Sequence, residues 1–200
     1  VLLRDVSASM EGARTRLAAD VVSGVLRAAA KRRMRVGYVE FHHEAEPFLV
    51  EGALFHRRYR ALHARARIAR AEGRTSYEAA LRVALHALRE RAEGGAHVLL
   101  LTDGVPVVGD PRVLRERRLA RELGARIHSV YLGAEEVPGR SLGRAARRAG
   151  PEELHYRAVL GRVVGRGRGA VEVDVVDVRR FQARGLERAL HGEPRAPALG

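Results

Sequence analysis

Short apolar runs alternate along this chain with longer stretches of helical spacing, and that alternation restricts the fold more than any other feature. Val1-Leu2-Leu3 opens the chain as a buried strand. Leu17, Val21, Val25 and Ala29, flanked by Val22 and Leu26, then recur at helical spacing over residues 15–30. Residues 34–41 read as the next strand and Phe48-Leu49-Val50 as a short edge strand, joined by a turn over residues 42–47. Residues 59–71 are helical and strongly basic, and Leu81, Ala84, Leu85 and Leu88 line one side of a helix over residues 79–91. Val98-Leu99-Leu100-Leu101 is a second fully apolar strand, and residues 125–132 form a further one. Between them Pro111 suits a first helical turn and Gly124 a C-cap, bounding a helix that ends near Leu123. A short helix capped by Ser141 and a last strand over residues 153–156 complete the series. Strands and helices alternating in this way form a mainly parallel α/β sheet covered on both faces.

The chemistry gathers where the strands end. Directly after the first strand stands Asp5-Val6-Ser7-Ala8-Ser9-Met10, one carboxylate and two hydroxyls. On this segment alone two readings stay open. The Asp and Ser residues suit a helix cap, because Glu11-Gly12 and a long helix follow. They also suit a small hard cation, since all their donors are oxygens and a strand-to-loop turn can converge them. Two later segments favour the cation. Leu101-Thr102-Asp103-Gly104 ends the second apolar strand in an Asp and a turn glycine, and Gly73-Arg74-Thr75-Ser76-Tyr77-Glu78 is a loop opening a helix. Open parallel sheets bind ligands outside the carboxyl ends of their strands. Asp5, Ser7, Ser9, Thr75 and Asp103 are expected along that edge.

This set resembles the von Willebrand factor A (VWA) domain, whose metal-ion-dependent adhesion site (MIDAS) combines Asp-x-Ser-x-Ser with a distant Thr and a distant Asp. All five positions are matched in the family's order, and the resemblance covers roughly residues 1–160. Two positions depart from it: Ala8 stands where many relatives carry Gly, and Arg4 puts a charge where most continue an apolar strand. The resemblance implies a Rossmann-like open sheet, mostly parallel with one antiparallel edge strand and helices on both faces. It implies that Ser7 and Ser9 bind Mg²⁺ (or Mn²⁺) directly, and that Thr75 does so directly or through water. Asp5 and Asp103 then act as direct or outer-shell carboxylates that orient ligand waters. An ion held this way stays electrophilic, so an Asp or Glu from a protein partner can replace a water and complete the shell.

Within the family, residues 4–12 and 73–81 are most similar to the bacterial intracellular group, including CoxE-like proteins and the VWA partners of MoxR-type AAA+ ATPases. That similarity implies a cytoplasmic interaction module that recruits such an ATPase to a client during assembly or maturation. A second branch, the Ro-type RNA-binding proteins, fits the basic charge but needs a helical-repeat ring that is missing from this sequence.

Net charge is +13, and Lys31 is the only lysine among the 37 basic residues. Heavy Arg, Ala, Gly and Val usage with so little Lys reads as the imprint of a G+C-rich genome. The arginines are spread over every polar helix face rather than gathered in a block, and aromatic content of 4% leaves few rings for base stacking. A solvated arginine surface with weak, non-specific nucleic-acid binding is expected. No cysteine is present, which excludes disulfides and thiolate metal sites. No run reaches the roughly 18–20 apolar residues of a membrane helix.

An enzyme is the alternative. Haloacid dehalogenase-type phosphatases also place an Asp after the first strand and use Mg²⁺, but they need a second acid two residues on, where this chain has Ser7. Serine nucleophiles need a general base, and none of the nine His stands out. His42-His43-Glu44 reads as a solvated turn away from the ligand edge. The chain starts inside a strand without an initiator Met, which reads as a segment of a longer protein. Residues 1–160 form the expected VWA domain. Residues 161–200 form a partly flexible extension, with a Gly/Arg-rich stretch at 161–169 and a half-exposed strand at 171–178.

Overall fold

A computed structural model describes residues 1–68, 70–91, 95–104, 106–110, 112–132 and 172–173. Its strands are β1 (Leu2–Asp5), β2 (Tyr38–Phe41), β3 (Ala45–Pro47), β4 (His97–Thr102), β5 (Arg126–Tyr131) and β6 (Glu172–Val173). The helices are α1 (Ala13–Lys31), α2 (Tyr59–Ala66), α3 (Tyr77–Arg89) and α4 (Leu114–Glu122), with a 3₁₀ turn at Ala8–Met10. One sheet holds all six strands in the order β3-β2-β1-β4-β5-β6. Every pairing is parallel except β2 with β3 at the edge. The α/β class, its antiparallel edge strand and its two helical layers are therefore those expected from the sequence.

Successive side chains of a strand alternate between faces, and here both faces are covered. Leu2, Leu99 and Leu101 pack with Val21, Val22, Val25 and Leu26 of α1 and Leu62 of α2. Leu3, Val39, Val98 and Leu100 face the opposite way, against Ala80, Leu81, Ala84 and Leu85 of α3 and Ala120 of α4. Burial on both sides explains why β1 and β4 read as unbroken apolar runs. Each fully buried leucine on these seams contributes about 1.5–3 kcal/mol relative to an exposed one.

Arg4 interrupts that pattern. It lies on the Leu2 face and is fully buried. Its guanidinium donates to the carbonyls of Ala66 (2.9 Å) and Thr15 (3.5 Å), to the Tyr38 hydroxyl (3.3 Å) and to Glu40 (3.5 Å). Arg65 and Tyr38 also donate to Glu40. The charge that departs from the apolar pattern is thus the hub of a buried network joining β1, β2, α1 and the end of α2.

Several boundaries differ from the sequence reading, each for a local reason. The edge strand is Ala45–Pro47, not Phe48-Leu49-Val50. The His42 ring accepts the Glu44 amide (3.0 Å) and the His42 amide donates to the Glu44 carbonyl (2.9 Å), closing the turn within three residues. Pro47, which has no N–H to donate, is tolerated because β3 is an edge. Helix α2 stops at Ala66 rather than residue 71, where Arg4 takes the carbonyls of Ala66 and Ile68. Helix α3 begins two residues early because the Ser76 hydroxyl caps it, accepting the Ala79 amide (3.3 Å). Gly124, at φ +62°, ends α4 as expected. Strand β6 falls within the 171–178 stretch and pairs β5 in parallel, so the sheet's last described strand comes from beyond residue 160. The expected Pro111 start, Ser141 helix and 153–156 strand lie outside the described residues. Among the described residues no helix is long and apolar enough to cross a membrane.

A histidine pair sits away from the ligand edge. His97 Nδ1 and His128 Nε2 are 2.9 Å apart with their rings stacked, and His128 Nδ1 is buried with no hydrogen-bond partner among the described residues. Burial, followed by the neighbouring His97, lowers the His128 pKa from 6.5 to about 4. The folded state therefore resists a proton that the unfolded chain accepts. Its stabilising contribution is complete above about pH 6.5 and is lost as pH falls toward 4. Between pH 7 and 4.5 the wild type should lose about 2 kcal/mol more stability than His128→Gln, by urea unfolding. Equal losses in the two proteins would refute the assignment.

Candidate metal centre

Because β1 and β4 are parallel neighbours, both end on the same edge of the sheet, and their terminal acids come together there. Asp5 is fully buried at the end of β1. One carboxylate oxygen accepts the Ser7 amide (2.8 Å) and the other accepts the Thr102 hydroxyl (2.6 Å). The chain then tightens into the 3₁₀ turn, which brings the Ser7 and Ser9 hydroxyls within 3.1 Å of each other. Ser9 in turn donates to Asp103 Oδ1 (2.9 Å). Asp5, Ser7, Ser9 and Asp103 thus form one contiguous oxygen cluster, linked through two hydroxyls and a backbone amide.

Thr75 lies buried on the loop between α2 and α3. That loop is stitched to the Asp-Ser segment by backbone bonds, Glu72 amide to Val6 carbonyl (2.8 Å) and Ala8 amide to Gly73 carbonyl (3.1 Å). The Thr75 carbonyl accepts the Val107 and Val108 amides (3.0 and 3.3 Å), tying the loop after Asp103 to the same place. Gly73 is required here: its φ is +72°, and a Cβ would meet His43 Nδ1 at 2.6 Å. All five sequence-derived positions accordingly converge at one edge of the sheet.

The donor set is oxygen throughout, with two carboxylates among hydroxyls, which suits a small hard divalent cation. Burial raises the Asp5 pKa from 3.8 to about 6, while the Ser7 and Thr102 hydrogen bonds pull it down and the charge of Asp103 pushes it up. Two acids so placed need positive charge nearby. Among the described residues no group of three or more His, Cys, Asp or Glu offers an alternative metal site.

Sequence reasoning missed three participants. Thr102 orients Asp5, and its only signal was a hydroxyl directly before Asp103 at the strand end. Tyr77 donates to the Gly104 carbonyl and lies 3.4 Å from the Thr102 hydroxyl; in the sequence it is one residue of the loop ahead of the helix, with nothing to mark it. Arg14 pairs with Asp103 (2.8 Å) and donates to the Ser9 carbonyl (2.7 Å). One placement is corrected. The His42-His43-Glu44 turn is at the ligand edge, because β2 runs parallel to β1 with Phe41 opposite Asp5. His42 is buried there, and its carbonyl accepts the Ser76 amide (2.8 Å).

Comparison with known proteins bears on the family and the fold. A family model for the von Willebrand factor type A domain matches residues 1–105. No curated protein matches the chain. Among solved structures, an aerotolerance-related membrane protein from Bacteroides fragilis is 16% identical with a TM-score of 0.67, covering 96% of this chain and 98% of that one. A von Willebrand factor type A protein from Catenulispora acidiphila is 18% identical with a TM-score of 0.60, covering 96% of this chain and 41% of its own. Proximal thread matrix protein 1 from the mussel byssus, solved with a zinc-occupied MIDAS motif, is 16% identical with a TM-score of 0.60 over 90% of this chain and 44% of its own. The chain therefore spans under half the length of the last two.

Proposed function

Since the chain belongs to the von Willebrand factor type A domain family, we propose that it is a metal-dependent protein-interaction module. In this reading Asp5, Ser7, Ser9, Thr75 and Asp103 hold Mg²⁺ or Mn²⁺, and a partner protein contributes an Asp or Glu. The observation that carries the reading is the single oxygen cluster at the carboxyl edge, closed by Ser7–Ser9–Asp103 hydrogen bonds. Asp5 already spends both oxygens on Ser7 and Thr102, which favours an orienting role for it over a direct one. A bound divalent ion supplies the positive centre that a partner carboxylate seeks. Residues 1–160 are the interaction domain, and residues 161–200 an extension that lends β6 to the sheet edge. The partner is a MoxR-type AAA+ ATPase or its client in a cytoplasmic bacterial assembly, a reading supported by residues 4–12 and 73–81.

The hydroxyls argue for binding rather than catalysis. Ser7 and Ser9 bond to each other and Ser9 bonds to Asp103; among the described residues neither hydroxyl meets an imidazole that would activate it. The chain alone should turn over no phosphoester, nucleotide or peptide. Phosphatase activity lost in Asp5→Asn would restore the phosphohydrolase alternative.

A pulldown from the native organism at physiological salt, with Mg²⁺ or with EDTA, tests the interaction itself. A protein should be recovered with Mg²⁺ and lost with EDTA or Asp103→Ala. With +13 net charge the domain should also hold nucleic acid at low salt, a binding that falls steeply with salt and ignores EDTA. Recovery of RNA alone, unchanged by EDTA, would replace the interaction reading with the RNA-binding one.

A further inference from the structure

Arg14 stands in the first turn of α1, which has no acidic residue there. A cation at that position is opposed by the positive end of the helix dipole, so something else must favour it. The geometry identifies what that is. Its Nη1 lies 2.8 Å from Asp103 Oδ2 and 2.7 Å from the Ser9 carbonyl, spanning two of the residues that close the oxygen cluster. Ser9 occupies the other oxygen of Asp103. The Asp103 side chain is only 2% exposed, whereas that of Arg14 is 31% exposed and reaches the site from its solvent rim. Every oxygen of Asp103 is therefore engaged, and one of its two partners is a full positive charge with an open path outward.

We propose that Arg14 is a built-in counter-cation of this site, competing with the divalent ion for Asp103. The inference rests on the metal reading above and adds a residue that opposes the ion rather than binding it. Two physical effects act in the same direction. The guanidinium and the ion, or the ion's waters, draw on the same Oδ2, so each weakens the hold of the other. Even if the arm stays close, a positive charge one hydrogen bond from a ligand residue repels the ion through a shielded interior. Competition of this kind sets a threshold: the site fills only where the ion is abundant enough, or where a partner carboxylate strengthens its hold. A freed guanidinium at the rim would itself be available to an incoming carboxylate.

Calorimetric titration of metal-stripped protein with MnCl₂ at fixed ionic strength tests this in wild type, Arg14→Ala, Arg14→Gln and Arg14→Lys. Both neutral variants should bind Mn²⁺ about tenfold tighter, while Arg14→Lys stays near wild type, because a charge-assisted contact is being removed from the competitor's side. Without metal the neutral variants should melt below wild type, and saturating Mn²⁺ should narrow that gap. Arg14→Gln preserves much of the side-chain bulk, so it answers the question if Arg14→Ala folds poorly. Equal or weaker Mn²⁺ affinity in the neutral variants, with normal binding by wild type, overturns this inference alone. Absence of binding in wild type and variants alike defeats the metal reading, and this inference with it.

Discussion

Replacing Arg4 by alanine should destabilise the domain by about 3–5 kcal/mol, the usual loss when one member of a buried ion pair is removed. Arg4 and Glu40 are each 1% exposed at the side chain, and the substitution strands several acceptors at once. The carbonyls of Ala66 and Thr15 and the Tyr38 hydroxyl lose a donor, and a cavity opens between β1 and α2. Glu40 retains Arg65, so the network weakens rather than vanishing. The same physics says that the charges are not needed for stability as such. A buried pair replaced by apolar side chains of similar volume is often neutral or better. Arg4→Met combined with Glu40→Leu and Tyr38→Phe should therefore lose much less than Arg4→Ala, since Arg65 has a path to solvent. Chemical denaturation of the two variants decides the matter. A loss under about 1 kcal/mol for Arg4→Ala would mean that the network is not a structural hub.

Removing both hydroxyls of the cluster, Ser7→Ala with Ser9→Ala, should weaken Mg²⁺ or Mn²⁺ binding by roughly a hundredfold or more, since outer-shell losses alone reach that range. The fold should survive. Ser9 is exposed, the Ser7 backbone amide still serves Asp5, and Asp103 keeps Arg14. Asp103→Ala should lower affinity similarly, by deleting the carboxylate that closes the ring with Ser9. Calorimetry supplies the affinities, and thermal melting of the same samples separates lost ligands from lost structure. Wild-type affinity in the double serine variant would remove the proposed site from these residues.

How far the sequence alone reached differs from element to element. Val98-Leu99-Leu100-Leu101 announced a strand buried on both faces, because a strand with no wet side has no polar period to show. The spacing of Leu81, Ala84 and Leu85 announced the inner face of α3, and Gly124 the end of α4. Parallel strands share a carboxyl edge, so the meeting of the Asp5, Ser7 and Ser9 segment with Asp103 was legible before any coordinate, whereas Thr75, on a loop between two helices, was expected there from the family resemblance. Thr75 apart, such features are local, or follow from strand direction alone.

What only the tertiary structure decided involves partners far apart in the chain. Thr102 meets Asp5 across 97 residues, and no local pattern marks a hydroxyl as the one that will orient a distant acid. Arg14 is one of many arginines, distinguished solely by the burial of Asp103 beside it. Arg4 read as an anomaly in an apolar strand until Glu40, Tyr38 and the end of α2 closed around it. The edge strand moved three residues because a histidine ring accepted an amide in its own turn, and that turn lies at the ligand edge because β2 runs parallel to β1. Periodicity records whether a side chain is buried. It does not record which polar group will be waiting there, because that depends on how elements distant in sequence pack together.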